Sequence, residues 1–177
     1  MRRGFSNETD RQPVNKLNSI VHMWSNLGDR FILFVATGAF SGYFPVFPGT
    51  VGTLVGIGIY LLIYAFNPLF YIGILICLFF FAVLISAKGE KILHENDSSQ
   101  IVIDEIFGFL VAMAFVPNRF VYIALGFFFF RLFDIIKVFP AGFFDKKIKN
   151  GYGVVLDDLV AGVYTNLVLH GLRFINF

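Results

Sequence analysis

The chain is 177 residues long, 57% hydrophobic, 19% aromatic and 15% charged, with a formal net charge of +2 and a mean hydropathy of +0.75. That length suits one domain, and an average soluble domain carries about 25% charged residues. Here residues 31–87 hold no Asp, Glu, Lys or Arg, a stretch of 57 residues too long for so short a chain to bury, which excludes a soluble enzyme, a disordered chain and a disulfide scaffold and leaves an integral membrane protein.

In chain order, residues 1–30 place Arg2, Arg3, Arg11, Lys16 and Arg30 among polar residues. No apolar core follows the basic start, so a cytoplasmic polar segment is expected and not a cleaved signal peptide. Residues 31–177 then form a single membrane-embedded domain. Residues 31–47 are apolar but rich in Gly and Pro towards their end, which predicts a short helix running into a re-entrant or interfacial loop. The loop reads Gly42-Tyr-Phe-Pro-Val-Phe-Pro-Gly-Thr-Val-Gly-Thr53. Its glycines permit close backbone approach, Pro48 sets the entry to a helix, and Thr50 and Thr53 offer hydroxyls beside free N–H groups that favour an anion. A plain turn at a membrane boundary fits the same residues.

Residues 51–66 and 69–87 are charge-free and flank Asn67-Pro68, a turn signal, so they predict a helical hairpin. Single Cys77 lies in this apolar stretch and has no partner to staple. Residues 101–116 carry Asp104 and Glu105 near one end; residues 120–139 carry Arg131, Asp134 and Lys137 in their second half; residues 154–175 open with Asp157 and Asp158. The fold class expected is all-α: a polytopic membrane bundle of about four to five spanning helices plus a re-entrant or interfacial N-terminal helix. With the N-terminus inside, eleven of the fourteen Lys and Arg residues fall on the cytoplasmic side. The same topology gathers seven of the twelve carboxylates (Asp97, Asp104, Glu105, Asp134, Asp145, Asp157 and Asp158) at that membrane face.

A carboxylate in or near hydrocarbon costs a few kcal/mol, so it is a functional candidate by default. Converging hard oxygen donors suit Mg²⁺. Small residues sit beneath the acids: Gly108 and Ala112 below Asp104, Ala161 and Thr165 below Asp157, Gly162 and Asn166 below Asp158. They allow the close helix approach that would bring the acids together. Two bland alternatives stand beside this. Acids at helix N-termini favour the helix dipole, and Arg131 with Asp134, three residues apart, makes an intrahelical ion pair. The aromatic run 127–130 is expected to face lipid, and His22, His94 and His170 fit no nucleophile or ligand pattern. The basic residues form no tract, so no nucleic-acid partner is expected, and nothing points to a protein partner.

Three blocks resemble the phosphatidylglycerophosphatase A family. They are the Gly42–Thr53 loop ending in Pro-Gly-Thr-x-Gly-Thr, the segment Asp97-Ser-Ser-Gln-Ile-Val-Ile-Asp-Glu-Ile-Phe-Gly108, and the run from Phe130-Arg-Leu-Phe-Asp-Ile-Ile-Lys137 through Phe144-Asp-Lys and Gly151-Tyr-Gly to Leu156-Asp-Asp-Leu-Val-Ala-Gly162. The likeness covers about residues 30–175. Val138 stands where the family usually has the first proline of Lys-Pro-x-Pro, and Ser98 follows Asp97 where Pro or His-Gly is usual, changes of loop stiffness that remove no charge. The resemblance implies a Mg²⁺-dependent lipid phosphatase of the bacterial cytoplasmic membrane, converting phosphatidylglycerophosphate to phosphatidylglycerol and inorganic phosphate on the cytoplasmic side. It implies Asp104, Glu105, Asp134, Asp157 and Asp158 as catalytic and metal-holding residues. Arg131, Lys137 and the Pro48-Gly49-Thr50 backbone would bind the phosphate. A small cation transporter or channel with an acidic vestibule is the alternative; it predicts acids spread through the membrane depth. A CDP-alcohol phospholipid synthase is disfavoured because its Asp-Gly-x-x-Ala-Arg signature is absent.

Overall fold

A computed structural model describes residues 26–140, 142 and 151–175. Most of the expected cytoplasmic N-terminal segment, with His22, and the loop carrying Asp145 lie outside the described residues. Among those described, the chain is all-helical: α1 (Leu27–Ala36), α2 (Pro48–Ile63), α3 (Pro68–Leu93), α4 (Ile103–Ala112), α5 (Phe120–Ile136) and α6 (Gly151–Phe174), with one 3₁₀ turn at Ser41–Tyr43.

The boundaries follow local chemistry. Helix α1 stops where Gly38, Ala39 and Phe40 take three consecutive left-handed conformations. Thr37 bridges the turn: its hydroxyl donates to the Leu33 carbonyl at 2.7 Å and accepts the Phe40 N–H at 3.1 Å. Helices α2 and α3 each start on proline at the first position, where a missing N–H costs nothing. A short turn joins them, with the Asn67 side chain accepting the Leu69 N–H at 2.9 Å, but the two helices do not pack face to face as the expected hairpin required; each packs instead on α4. Helix α3 ends at left-handed His94, and α5 at left-handed Lys137.

Helix α4 is the axis of the bundle. Eight of its ten residues are buried, and α2, α3, α5 and α6 pack around it. The closest approach is to α6, where a methyl group added at Gly162 would collide with the Gly108 carbonyl and one added at Gly108 would meet the Asp158 carbonyl. The small residues beneath the acids therefore do what their spacing suggested. At 1.5 Å per residue α4 is only about 15 Å long, half a hydrocarbon core. Its free C-terminal carbonyls end deep in the fold, and side chains from three other helices satisfy them. Tyr71 donates to Leu110 O at 2.8 Å, Asn166 to Ala112 O and Ala114 O at 3.0 and 2.9 Å, and Tyr60 to Val116 O at 3.3 Å, while a His170 ring nitrogen lies 3.2 Å from Ala114 O. Irregular backbone survives at membrane depth only when enclosed and paired in this way.

Two helices, α3 and α6, are long and apolar enough to cross a membrane. Helices α2 and α5, with 16 and 17 residues, sit at the short limit. Large apolar side chains line the outside, among them Leu62, Leu69 and Phe120, each more than three-quarters exposed. The aromatic run does not all face outward: Phe128 is exposed, whereas Phe130 is fully buried against Phe109 and beside Gly108.

Candidate active site

One end of the bundle collects the start of α2, the first turn of α4, the last turns of α5 and the second turn of α6. All ten residues singled out in the sequence lie on these pieces. Asp104, Glu105 and Asp158 bring carboxylate oxygens to within 4.8 Å of one another, and the two aspartates are buried. Neighbouring amides order them: the Glu105 N–H donates to Asp104 Oδ1 and the Asp158 N–H to Asp157 Oδ1, each at 3.1 Å.

Asp134 and Asp157 are placed differently. Each is held by a cation: Arg131 Nη1 lies 2.7 Å from Asp134 Oδ2 on the same helix, and Lys137 Nζ reaches Asp157 Oδ2 on α6 at 3.1 Å. Arg131 Nη1 also lies 4.0 Å from Glu105 Oε1. The five acids thus divide into a compact trio and two rim carboxylates that hold the basic residues beside it. Glu105 Oε2 and Arg131 Nε are buried with no hydrogen-bond partner among the described residues.

The Pro48-Gly49-Thr50 turn closes this end. A side chain at Gly49 would strike Glu105 Oε1 and come within 3.0 Å of Arg131 Nη1, so any larger residue there displaces both side chains. The Thr50 and Val51 amides both turn back to Phe47 O, at 3.0 and 3.2 Å, and Pro48 has no N–H. Gly49 is therefore the first-turn amide without a backbone acceptor. Thr53 is fully buried and donates to Gly49 O at 2.8 Å, so its hydroxyl braces the turn and does not face a ligand as its position suggested.

Sequence reasoning missed the support behind this end. Glu90, on the last turns of α3, accepts the Asp97 N–H at 2.8 Å, and Glu95 accepts the Ser98 hydroxyl at 2.8 Å, fixing the loop that delivers Asp104. Asp97 itself serves that loop and is not in the compact trio. No pattern in the sequence marks Glu90, because its role is a contact across seven residues of irregular chain.

The donor set fits a hard divalent cation. Three carboxylates converge there, and one of their oxygens, Glu105 Oε2, is buried with no hydrogen-bond partner among the described residues. Three like charges in a dry site repel unless a cation lies between them, and oxygen-only donors select Mg²⁺-like ions over softer metals.

The family sequence profile described as "Phosphatidylglycerophosphatase A" matches residues 34–173. A protein named phosphatidylglycerophosphatase A from Haemophilus influenzae is 30% identical over 171 residues, covering 94% of this chain and 98% of the relative. The Escherichia coli K12 protein of the same name is 32% identical over 140 residues, covering 77% and 80%. A Bacteroides thetaiotaomicron protein provisionally named a phosphatidylinositol-3-phosphatase is 33% identical over 149 residues, covering 80% and 92%. No solved structure matches the chain.

Proposed function

The chain belongs to the phosphatidylglycerophosphatase A family, and from that premise we propose that it hydrolyses phosphatidylglycerophosphate to phosphatidylglycerol and inorganic phosphate in phospholipid biosynthesis, using Mg²⁺. The observation that carries the reading is the trio Asp104, Glu105 and Asp158 set beside Arg131 and the bare Gly49 backbone. A metal-holding anion cluster touching a guanidinium is what a phosphate monoester needs at its two charged sides.

Asp104, Glu105 and Asp158 would hold the ion. Bound there, Mg²⁺ would supply Lewis-acid charge to a phosphoryl oxygen and would lower the pKa of a water. Arg131 and Lys137 take the remaining phosphate oxygens, and Asp134 and Asp157 hold those two cations in position. The Gly49 amide donates to the phosphate from the third side. Water adds to phosphorus, a carboxylate of the cluster takes its proton and delivers it to the glycerol oxygen as that P–O bond breaks, so the oxygen leaves as the hydroxyl of phosphatidylglycerol.

Basic residues orient the site. Lys88, Lys91 and Lys137 lie at the acid end, so this end faces the cytoplasm of a bacterium. In this topology α2, α3, α5 and α6 cross the bilayer and α4 traverses its protein-filled interior. The acids sit at one end and not through the depth, which argues against a cation channel.

Purified protein is expected to release phosphate from phosphatidylglycerophosphate with Mg²⁺ and not after chelation. Phosphatidylinositol 3-phosphate is the comparison substrate, since it shares the monoester but not the alcohol. No release from either lipid, with and without Mg²⁺, overturns the reading.

A further inference from the structure

At the end opposite the acids, the residues that cap α4 surround a cavity of about 350 Å³. Tyr60 and Tyr64 at the end of α2, Tyr71 in the first turn of α3, Phe115 and Val116 after α4, and Arg173 in the last turn of α6 line it. The Tyr60 and Tyr71 hydroxyls are spent on backbone carbonyls, so Arg173 and Tyr64 are the donors left to a ligand. The sequence has no Asp or Glu in residues 31–89, 106–133 or 159–177, the segments that reach this end. Among the described residues the Arg173 charge therefore meets no acidic side chain here.

A second, apolar groove of about 650 Å³ runs along α3, lined by Phe70, Gly73, Ile74, Cys77, Leu78 and Phe81. Its first residue, Phe70, is the chain neighbour of Tyr71, which lines the first cavity. From Phe70 to Phe81 the helix rises about 16 Å, close to the half-thickness of a hydrocarbon core of about 30 Å. A headgroup-sized cavity with an unneutralised arginine, above an apolar groove one leaflet deep, has the shape and charge of a phospholipid.

We propose that this end binds an anionic phospholipid of the leaflet opposite the acid cluster, its phosphate against Arg173 and Tyr64 and an acyl chain along the α3 groove. A free phosphate has no use for the groove, and a zwitterionic lipid leaves the arginine charge unanswered. The site is independent of the hydrolysis proposed at the other end.

The test is native mass spectrometry of the purified protein with equal amounts of phosphatidylserine and phosphatidylcholine of the same acyl chains. The wild type is expected to retain the anionic lipid about tenfold over the zwitterionic one, the scale of one charge-assisted hydrogen bond. Arg173→Gln brings the ratio towards one, and Arg173→Lys keeps most of it. A side chain added at Gly73 starts from a position with nothing within 4 Å, so Gly73→Leu fills the groove without disturbing the fold and lowers retention of both lipids. Phosphate release stays unchanged in all three variants. An unchanged ratio in Arg173→Gln, unchanged retention in Gly73→Leu, or displacement of the lipid by inorganic phosphate alone overturns the proposal.

Discussion

Asp158 is buried within 4.8 Å of two other carboxylates, so in the absence of a cation its charge opposes folding. Asp158→Asn removes that repulsion while keeping the shape. In chelator its melting temperature is expected to equal or exceed that of the wild type, and the stabilisation that added Mg²⁺ brings is expected to vanish. Phosphate release should fall at least about 100-fold, the effect of losing roughly 3 kcal/mol of transition-state stabilisation. A variant still stabilised by Mg²⁺ as strongly as the wild type would remove Asp158 from the metal set. Gly49 gives a second residue-scale separation. Helix propensity alone favours alanine there by about 1 kcal/mol, so a purely structural glycine predicts a more stable, equally active protein. The contact with Glu105 and Arg131 predicts the reverse for function: Gly49→Ala displaces both, and kcat/KM should drop at least about tenfold in steady-state assays while the fold persists. The residue types of this site were legible from the chain, because charge is costly in hydrocarbon and stands out against an apolar background. Their partition was not. Whether Asp157 joins the trio or pairs with Lys137 depends on how α5 and α6 rotate against each other, and that depends on packing over Phe130 and Gly108.

The elements follow charge and proline signals closely at their starts and poorly at their ends. Pro48 and Pro68 open helices as proline should, and Asn67 caps the second. Hydropathy reads residues 101–116 as one continuous apolar run, yet α4 stops at Ala112 and Phe115 turns left-handed. The break is invisible in the sequence because its stabilising partners, Tyr60, Tyr71 and Asn166, come from distant helices. Asn166→Leu tests the cap. It leaves the Ala112 carbonyl without its side-chain donor in a dry interior, and Ala114 O with only the His170 ring, and an orphaned group costs about 1–3 kcal/mol. A loss of about 2 kcal/mol in reversible unfolding from detergent is expected, and a loss below about 0.5 kcal/mol would mean that water already satisfies these groups. The α4–α6 crossing gives a paired comparison. Gly162→Val drives a side chain into the Gly108 carbonyl and should cost about 3 kcal/mol or more, whereas Gly58→Ala meets nothing within 4 Å and should stabilise α2 by up to about 1 kcal/mol. Equal effects at the two glycines would contradict the close approach.

At the scale of the whole molecule, the two ends are chemically unlike, and this asymmetry orients the chain. The acid end carries Asp104, Glu105, Asp134, Asp157 and Asp158, with Lys88, Lys91, Arg131 and Lys137 among its cations, while Arg119 and Arg173 mark the other end. Lysine and arginine are retained on the cytoplasmic side during insertion, so in the proposed topology the acid end faces the cytoplasm and meets lipid made on that leaflet. Asn96, in the loop after α3, and Asn118, in the turn before α5, are both exposed and lie at opposite ends. In a Cys77→Ser background, Asn118→Cys should react with a membrane-impermeant maleimide on spheroplasts, whereas Asn96→Cys should react only after permeabilisation. The pair tests more than orientation. Labelling of both positions from outside would mean that α3 does not cross, and labelling of Asn96→Cys alone would invert the molecule and place the acid cluster away from the leaflet where its substrate is made. Only the expected pattern joins the scarcity of charge, its clustering at one end and the proposed hydrolysis at the cytoplasmic surface.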